Sequence, residues 1–478
     1  MTSIEVSLRG FCLLSGVGSI GQATFLLFSA ACGAEAAQEP RPVVEVEEVV
    51  YRPEPADNGA GPMWCHGSTC LVRVGEDVFA SGIETLKDVK PLNNCRWLLF
   101  HRDAAGWRQV LADEKGRTRE PCPLAVFSDG RVFLSANPTL STDPNEYGGS
   151  ARPEIYEFNA KSPQGTPTRT TPVWAGSPPF TEHSYRSFAA DGPRGELILF
   201  QNVGYTRAEW TFRNAEGEWA RQGKLKWPWG AEYDKPKPIR VCYPNVALKD
   251  GTVHFCGVSD IIEPYDAWRA YKRELTGREW DYDFRRLFYT WTPDIRSGEF
   301  AAWVEIASQD KTCGWISPGD LWVAPDGAAH IVWTERAIDE RLRERFFPDA
   351  VQSHALKYAV VREGVVEERQ TLMLAEEGKS AVVPGRVRFH TTEDGRLFIL
   401  YYVHGTDATG DRVSENRLQE LRFDGTHRPP VRVPLQHPMN AFYTATIRAG
   451  SAPSNTLDLL GTRTDGKGIS YARVRLVE

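Results

Sequence analysis

The stretch Leu124-Ala-Val-Phe-Ser-Asp129-Gly-Arg-Val-Phe-Leu-Ser135 places an Asp-Gly dipeptide between two short apolar runs. An Asp-Gly pair between alternating apolar residues is a strong signal for a β-hairpin, because these residues suit the tight turn. Four more segments have the same setting, with the anchors Asp191, Asp250, Asp326 and Asp394. The five anchors recur at intervals of about 60 to 75 residues, which indicates a repeated structural unit.

The rest of the chain extends this repeat to seven units. A weaker copy precedes the anchors at residues 71–79, and another follows them at residues 445–460. A second hairpin lies between anchors, for example residues 97–101 with residues 107–111. Each unit then has four antiparallel strands and cannot bury both faces alone, so radial packing is expected. The sequence predicts an all-β fold, a seven-bladed β-propeller of four-stranded antiparallel blades.

Segments outside the repeat predict how the ring closes and where helices are inserted. Residues 43–51 form a strand pattern before the first unit, and residues 469–476 form one after the last. Pairing the two would remove two sheet edges, so we expect a single domain over residues 43–478, closed by the N-terminal strand. Residues 263–283 and 336–349 have helix-like spacing, which predicts short helical insertions between second and third strands.

Composition and charge narrow the class of protein. Hydrophobic residues make up 41% of the 478 residues and charged residues 25%, as in globular proteins, which excludes a disordered or collagen-like chain. Acidic residues outnumber basic ones, 63 to 56, and no basic block is present. We therefore expect no nucleic-acid partner. We also expect the protein to be a monomer.

The N-terminus carries the features of an export signal. Arg9 precedes an apolar stretch over residues 11–32, and residues 34–36 match the small-x-small motif of a signal peptidase site. We expect a signal peptide over residues 1–36, export to the periplasm or the cell exterior, and no transmembrane span in the mature chain. The Ser-Ala-Ala-Cys run that ends at Cys32 resembles a lipoprotein box, which leaves lipid anchoring as an alternative.

Seven cysteines follow residue 36, and their spacing does not match a zinc site. Export permits disulfides. Cys65, Cys95 and Cys122 each precede a strand on the same face of the first two units, so we expect one pair among them to be bonded or in contact. The sequence requires no metal or other cofactor, and a structural cation in the channel stays open.

Candidate functional residues lie where the innermost strands begin. In a propeller these strand starts converge at one mouth of the central channel, which is a common place for a binding site. Three residues there can exchange protons and are predicted to be catalytic: His66, His183 and Tyr243. Five more are predicted to bind substrate through aromatic or guanidinium groups: Tyr185, Arg186 and Arg386 at strand starts, and Tyr205 and Arg207 in a loop between second and third strands on the same face. The alternatives are structural histidines, tyrosines packed between blades, and an Arg186 paired with a neighbouring acid.

The repeat, together with His66, His183, Tyr185, Tyr243 and Arg186, resembles a known superfamily. It is similar to the sialidase-type (BNR-like) propellers, and among them to the seven-bladed polysaccharide lyases that include ulvan lyases and rhamnose-glucuronate lyases. The Asp-Gly turns lack the Ser-x-Asp-x-Gly-x-x-Trp boxes of sialidases. The resemblance implies β-elimination on a uronate glycan: a His or Tyr takes the proton next to the carboxylate, Arg186 stabilises the developing charge, and a Tyr protonates the leaving oxygen.

Two other classes of function stay open. A propeller can bind sugars or proteins without catalysis. A glycoside hydrolase would need two carboxylates about 5 to 10 Å apart. No Asp or Glu opens an inner strand, although Glu182 lies beside one. The interpretation that the sequence favours is an exported carbohydrate-active propeller, a polysaccharide lyase whose partner is a polysaccharide or oligosaccharide.

Overall fold

Seven antiparallel sheets of four strands form a ring in the computed structural model, which describes residues 41–477 except Lys115 and Lys467. The innermost strands of neighbouring blades contact one another around the whole ring, including blade 7 with blade 1. Pro40–Glu478 is one compact unit. The predicted seven-bladed β-propeller is confirmed.

Blades 1 to 3 use consecutive strands, each paired with the next along the chain. From the axis outward, the strands are Leu71–Val74, Asp77–Thr85, Cys95–Asp103 and Gly106–Ala112 in blade 1, Leu124–Val126, Arg131–Ala136, Glu154–Asn159 and Thr168–Thr170 in blade 2, and Ser187–Asp191, Glu196–Val203, Arg207–Arg213 and Trp219–Lys226 in blade 3.

Blades 4 to 6 follow the same order. Their strands are Val241–Lys249, Thr252–Ser259, Arg286–Thr292 and Val304–Ser308 in blade 4, Trp315–Val323, Ala329–Arg336, Ser353–Arg362 and Val365–Glu376 in blade 5, and Ala381–Thr391, Leu397–Thr406, Arg412–Leu421 and Val431–Val433 in blade 6. Blade 7 combines both ends of the described chain, with the strands Met439–Thr444, Thr456–Arg463, Ile469–Val477 and Arg41–Tyr51.

Smaller elements lie in the loops. Helix α1 (Asp266–Thr276) and helix α2 (Glu340–Phe346) connect the second and third strands of blades 4 and 5, as the helix-like spacing predicted. The remaining short elements are two two-stranded ribbons, Trp229–Gly230 with Lys237–Pro238 and Ile261–Ile262 with Tyr282–Asp283, and the 3-10 turns Asp310–Thr312 and Ile447–Ala449.

The hydrophobic core lies between blades. Each of the seven junctions between adjacent blades has its own cluster of buried apolar side chains. Phe200 of blade 3 packs on Phe255 of blade 4 in this way, with ring centroids 5.1 Å apart. Because each blade buries both faces against its neighbours, its strands show little alternation between apolar and polar residues and consist largely of buried residues.

The Asp-Gly anchors form the turns between first and second strands. The Asp129 carboxylate accepts a hydrogen bond from the Arg131 amide at 3.0 Å, and Asp326 accepts one from the Ala328 amide at 3.1 Å. These Asx turns explain why the dipeptide marks the repeat so clearly. The turns lie at the end of the ring opposite the starts of the inner strands.

The last unit differs from its prediction. Residues 445–449 do not form a strand, because the inner strand of blade 7 ends at Thr444 and Ile447–Ala449 is a 3-10 turn. The turn brings Arg448 into the channel, where its Nε donates a hydrogen bond to Asp320 at 2.8 Å. At Gly450, which has φ of 90°, an added Cβ would lie 1.9 Å from the Val126 carbonyl oxygen. Close packing against blade 2 therefore determines this turn.

All seven cysteines after residue 36 are buried free thiols. No disulfide joins any pair among Cys65, Cys95 and Cys122, so the part of the prediction that expected a bond is wrong. Burial raises the pKa of the Cys95 thiol to about 11 and that of Cys122 to about 12, so both behave as small apolar groups.

We predict that removing Arg41–Tyr51 destabilises the ring. This strand pairs antiparallel with Ile469–Val477, and the Tyr51 ring stacks on Phe100 of blade 1 at 4.9 Å. Its loss would expose the edge of blade 7 and part of the contact with blade 1. A chain that begins at Gly61 should melt several degrees below one that begins at Ala37 and should aggregate more readily. Equal melting temperatures would contradict a closing role for this strand.

Candidate functional site

A loop from blade 1, residues 64–68, crosses the channel at the end where the inner strands begin; we call it the axial loop. It touches blade 4 on the far side, where an added Cβ on Gly67 would lie 2.0 Å from the Pro244 carbonyl oxygen. Only glycine fits this approach. The loop therefore joins opposite sides of the ring.

Blades 6 and 7 hold the axial loop through its carbonyl groups. The Tyr443 hydroxyl donates to the Cys65 carbonyl at 3.1 Å, and Arg448 donates to the Gly67 carbonyl at 2.9 Å. Arg388 donates to the carbonyl of His66. Because three buried donors bind consecutive carbonyls, the backbone of His66 is fixed.

Five rings from three blades form a continuous group that we call the aromatic cluster: Trp64, His66, His183, Tyr185 and Tyr243. His66 stacks on Tyr243 with ring centroids 4.9 Å apart, and Tyr185 lies edge-on to Tyr243 at 5.0 Å. His183 is 4.5 Å from Tyr185 and 5.4 Å from Trp64. The cluster brings together four of the sequence-predicted residues across 177 positions of the chain.

The two tyrosines of the aromatic cluster have an unusual backbone. Tyr185 has φ of 42° and Tyr243 has φ of 50°, in the left-handed region that bulky residues rarely adopt. Their hydroxyl oxygens face each other at 3.4 Å. Buried Glu120 supports the Tyr185 turn by accepting the Ser184 amide at 2.7 Å and the Tyr185 amide at 3.4 Å. Such strain at corresponding places in two blades points to a functional constraint.

Both histidines of the aromatic cluster are held neutral. Burial lowers the pKa of His66 well below 6.5, and the nearby charges of Arg386 and Arg388 lower it further. Burial, with help from Arg119, lowers the pKa of His183 to about 3. The Nδ1 atom of His183 is buried without a hydrogen-bond partner among the described residues. The imidazoles are therefore uncharged at neutral pH, and each has one ring nitrogen without a proton.

The two tyrosines of the aromatic cluster, Tyr185 and Tyr243, are kept protonated. Burial raises the pKa of Tyr185 and of Tyr243 above the usual value of 10, and the Asp260 charge raises both further. Their hydroxyls stay protonated at neutral pH and can donate protons.

Arg386 is the cation of the site. It is half-buried, and its Nη1 atom has no hydrogen-bond partner within the described part of the chain. Burial and the neighbouring Arg388 lower its pKa to about 10, so it remains charged at neutral pH. A buried guanidinium without a carboxylate is costly, and an anionic ligand would relieve that cost.

The other predicted substrate-binding residues lie elsewhere. Arg186 is buried, with its Nη1 3.7 Å from the Glu120 carboxylate and its Nη2 donating to the Pro121 carbonyl at 3.0 Å. Arg207 donates to Glu209 at 2.6 Å on the third strand of blade 3, away from the channel. Both guanidinium groups are therefore engaged within the protein, and for Arg186 the neighbouring acid is the observed partner.

Tyr205 lies at the rim and joins the site indirectly. It is 43% exposed, and its ring lies under the Arg240 guanidinium at 3.8 Å. The same guanidinium lies 5.3 Å from the Tyr185 ring and pairs with Asp260 at 3.0 Å. Tyr205 is placed to border a ligand rather than to react with it.

We predict that Arg186→Met destabilises the fold. The substitution would leave Glu120 as a buried carboxylate without its cation, which costs about 3–5 kcal/mol. Denaturant unfolding should show this loss of stability. Arg386 forms no ion pair among the described residues, so Arg386→Met should have a free energy of unfolding close to that of the wild type. An Arg186→Met protein as stable as wild type would contradict the structural role.

Residues that were not predicted from the sequence extend the aromatic cluster. Phe284 lies 5.7 Å from Tyr243, and Trp315 lies 4.7 Å from Phe284, so the rings continue to blade 5. Trp64 and Arg240 were also missed. The only sequence signal was position, because Trp64 precedes Cys65 and Arg240 precedes the inner strand of blade 4.

Several buried carboxylates are paired with arginines. Among them are Glu120 with Arg186, Asp260 with Arg240, Glu263 with Arg285, and Asp320 with Arg448. These carboxylates balance the charge of the protein itself, whereas Glu182, next to His183, is partly exposed.

Within the described residues, no group of three or more His, Cys, Asp and Glu side chains could hold a metal ion. No helix in this part of the chain is long and apolar enough to cross a membrane.

The fold and the site define a seven-bladed β-propeller with an aromatic, cationic channel mouth. No protein-family model matches the chain, and no curated protein matches it. Among solved structures it is similar to the polysaccharide lyase Uly1, at 11% identity over 92% of this chain and 99% of that one, with a TM-score of 0.48. It is also similar to an α-L-arabinanase of Penicillium chrysogenum in complex with arabinobiose, at 11% identity over 91% and 98% of the chains, with a TM-score of 0.41. These likenesses concern the arrangement of the blades only.

Proposed function

We propose that the aromatic cluster and Arg386 form the active site of a polysaccharide lyase, which cleaves a uronate-containing glycan by β-elimination. The observation that carries this proposal is the pair of left-handed tyrosines, Tyr185 and Tyr243, with hydroxyls 3.4 Å apart beside neutral histidines. His66, His183 and Arg386 are partly exposed, so a ligand can reach them.

The proposed reaction uses one group for each task. Arg386 binds the uronate carboxylate and thereby favours loss of the neighbouring C5 proton. His66 accepts that proton, the C5–H electron pair forms a C4=C5 double bond, and the C4–O bond breaks. Tyr243 gives its proton to the leaving oxygen. Tyr185, within 3.4 Å of Tyr243, is placed to help return a proton to it.

A lyase fits this site better than a hydrolase. Inverting and retaining glycosidases use two carboxylates about 5 to 10 Å apart. Glu120, which accepts the Tyr185 amide, and Asp260 are buried and paired with Arg186 and Arg240. Glu182 beside His183 is partly exposed, but one carboxylate does not supply both an acid and a base. A hydrolase remains the outcome that the product assay below would detect.

Export and cofactor use are part of the same proposal. The predicted signal peptide at residues 1–36 and the alternative anchor Cys32 lie outside the described residues and stay predictions. A polymeric glycan is met outside the cytoplasm, which agrees with export. We propose no cofactor, because side chains supply both the proton transfers and the carboxylate contact, and we propose that the protein acts as a monomer.

The pKa values of the histidines predict the pH profile. With the pKa of His66 and His183 below 6.5, the free enzyme keeps neutral imidazoles in mild acid, so the acid limb of kcat/KM should lie below pH 6.5. The unfolded chain takes up protons on these residues near pH 6.5 and the folded chain does not. Stability should therefore fall as the pH falls from 6.5 towards about 3, the folded pKa of His183. An acid limb above pH 6.5 would contradict neutral, buried histidines.

The proposal is tested with a panel of uronate-containing glycans. Elimination creates an unsaturated uronate that absorbs in the ultraviolet, and every cleavage creates a reducing end. We expect both signals to rise together on at least one glycan. Reducing ends without ultraviolet absorbance would identify a hydrolase, and binding without either signal would identify a non-catalytic propeller.

A further inference from the structure

A cavity opens on the face of the ring that carries the aromatic cluster. It has a volume of about 330 Å³ and lies between blades 5 and 6. Its lining residues are Trp315, Thr334, Glu335, Arg336, His354 and Pro384. Pro384 and Arg386 lie on the same strand, two residues apart.

Aromatic rings connect the cavity with the active site. Trp315, which is 39% exposed, opens the inner strand of blade 5. Phe284 lies between it and Tyr243, at ring distances of 4.7 and 5.7 Å. A flat exposed indole at this place is suited to stack against a sugar ring.

Arg336 gives the cavity its charge. It pairs directly across the sheet with Trp315, and its Nε atom is buried without a hydrogen-bond partner among the described residues. The neighbouring Glu335 does not serve it, since that carboxylate accepts the Trp333 indole N–H at 2.9 Å and lies 3.5 Å from the Lys357 ammonium. The guanidinium beside the indole is therefore available to an anion.

His354 completes the polar side of the cavity. Burial lowers its pKa, and the charges of Arg336 and His404 lower it further. At neutral pH the imidazole is uncharged and can donate or accept a hydrogen bond with a hydroxyl group. The cavity thus offers one stacking surface, one cation and one neutral polar ring.

We propose that this cavity is a second sugar subsite, which holds another uronate residue of the glycan bound at the active site. The sugar ring stacks on Trp315, and its carboxylate takes the Arg336 guanidinium. This inference rests on the proposed function for the identity of the glycan, and it adds that the protein recognises acidic residues at two places along one chain. Substrates with isolated uronates would use only the active site.

Binding measurements on a cleavage-deficient background test the subsite. Isothermal titration in Tyr243→Phe protein would use oligogalacturonate and oligoglucuronate, and the same oligosaccharides with their carboxylates reduced to alcohols. Trp315→Ala and Arg336→Met are the test variants. Their matched controls are Trp280→Ala, an indole that is 64% exposed and outside the cavity lining, and Arg362→Met, which lies in the opposite-end turn of blade 5.

We expect one acidic oligosaccharide to bind, and Trp315→Ala and Arg336→Met each to weaken it by about tenfold or more. Arg336→Met should cost little with the carboxyl-reduced oligosaccharide, because the charge contact is then already lost. Unchanged affinity in both variants, equal losses on acidic and reduced ligands, or no binding of either acidic oligosaccharide would overturn the subsite. Failure of the lyase proposal would appear instead as an absence of ultraviolet product from the wild-type protein, with this binding pattern intact in the Tyr243→Phe variants.

Discussion

Replacing Tyr243 by phenylalanine is expected to lower kcat on a uronate glycan by about 100- to 10,000-fold, the range for loss of a general acid or base. The substitution removes only the hydroxyl that faces Tyr185 at 3.4 Å and keeps the ring that stacks on His66. Substrate binding should change little, because the carboxylate contact belongs to Arg386. The effect should therefore appear in kcat rather than in KM.

Tyr147→Phe is the matched control for this prediction. Tyr147 is 60% exposed on a loop between the second and third strands of blade 2, at the same end of the ring. Its hydroxyl has no part in the proposed reaction, so turnover should stay at the wild-type value. Thermal unfolding of both variants would show whether the fold is intact. A folded Tyr243→Phe protein with near-normal kcat would remove Tyr243 from the mechanism.

Arg386→Met is expected to lower kcat/KM on the same glycan by about 100- to 1,000-fold. Methionine keeps much of the buried volume but cannot neutralise the carboxylate, so the C5 proton becomes harder to remove. The pKa of His66 should also rise towards its usual value, because Arg386 helps to lower it. The acid limb of the pH profile should then move upward if His66 is the group that accepts the proton.

Arg362→Met controls for the loss of an arginine. Its guanidinium pairs with two exposed carboxylates, Asp326 and Glu367, at the opposite end of blade 5, so activity and the pH profile should stay unchanged. If Arg386→Met and Arg362→Met lowered kcat/KM equally, the carboxylate would have to be bound elsewhere. Arg119, which lies 5.4 Å from the Trp64 ring, would be the next candidate.

The fold could be predicted because its signals are local. An Asp-Gly turn such as Asp129-Gly130 sets φ and hydrogen bonds within a few residues, so the repeat is visible without knowledge of the ring. Helices α1 and α2 could be predicted for the same reason, because the helix-like spacing of their residues is also a local signal. The strand expected near residues 445–449 failed because contacts with distant residues, Asp320 and Val126, decide that turn.

The site could be predicted only in part, because its geometry depends on contacts across the axis. Strand starts converge in any propeller, which is why His66, His183, Tyr185 and Tyr243 meet. Arg186 could not be distinguished from Arg386 by sequence, since the partner of Arg186 is Glu120, a residue at the start of blade 2. Charge pairing between blades determines which arginine stays available to a ligand.

The path of the axial loop also could not be predicted from the sequence, because it depends on contacts with distant residues. Gly67 fits against Pro244 although 177 positions separate them, and donors from blades 6 and 7 bind its neighbours. No local pattern in residues 64–68 indicates a segment that crosses the channel. Its position follows from burial of its carbonyl groups, which requires the closed ring.

Mass spectrometry of the products from a defined uronate oligosaccharide tests the central claim most directly. Elimination adds no water, so the masses of the two fragments should sum to that of the substrate, and one fragment should carry the unsaturated uronate. Hydrolysis would make that sum heavier by one water. We predict the first result for the wild-type protein and its loss in Tyr243→Phe. Fragments heavier by one water, or an oligosaccharide that binds and is never cleaved, would contradict a lyase.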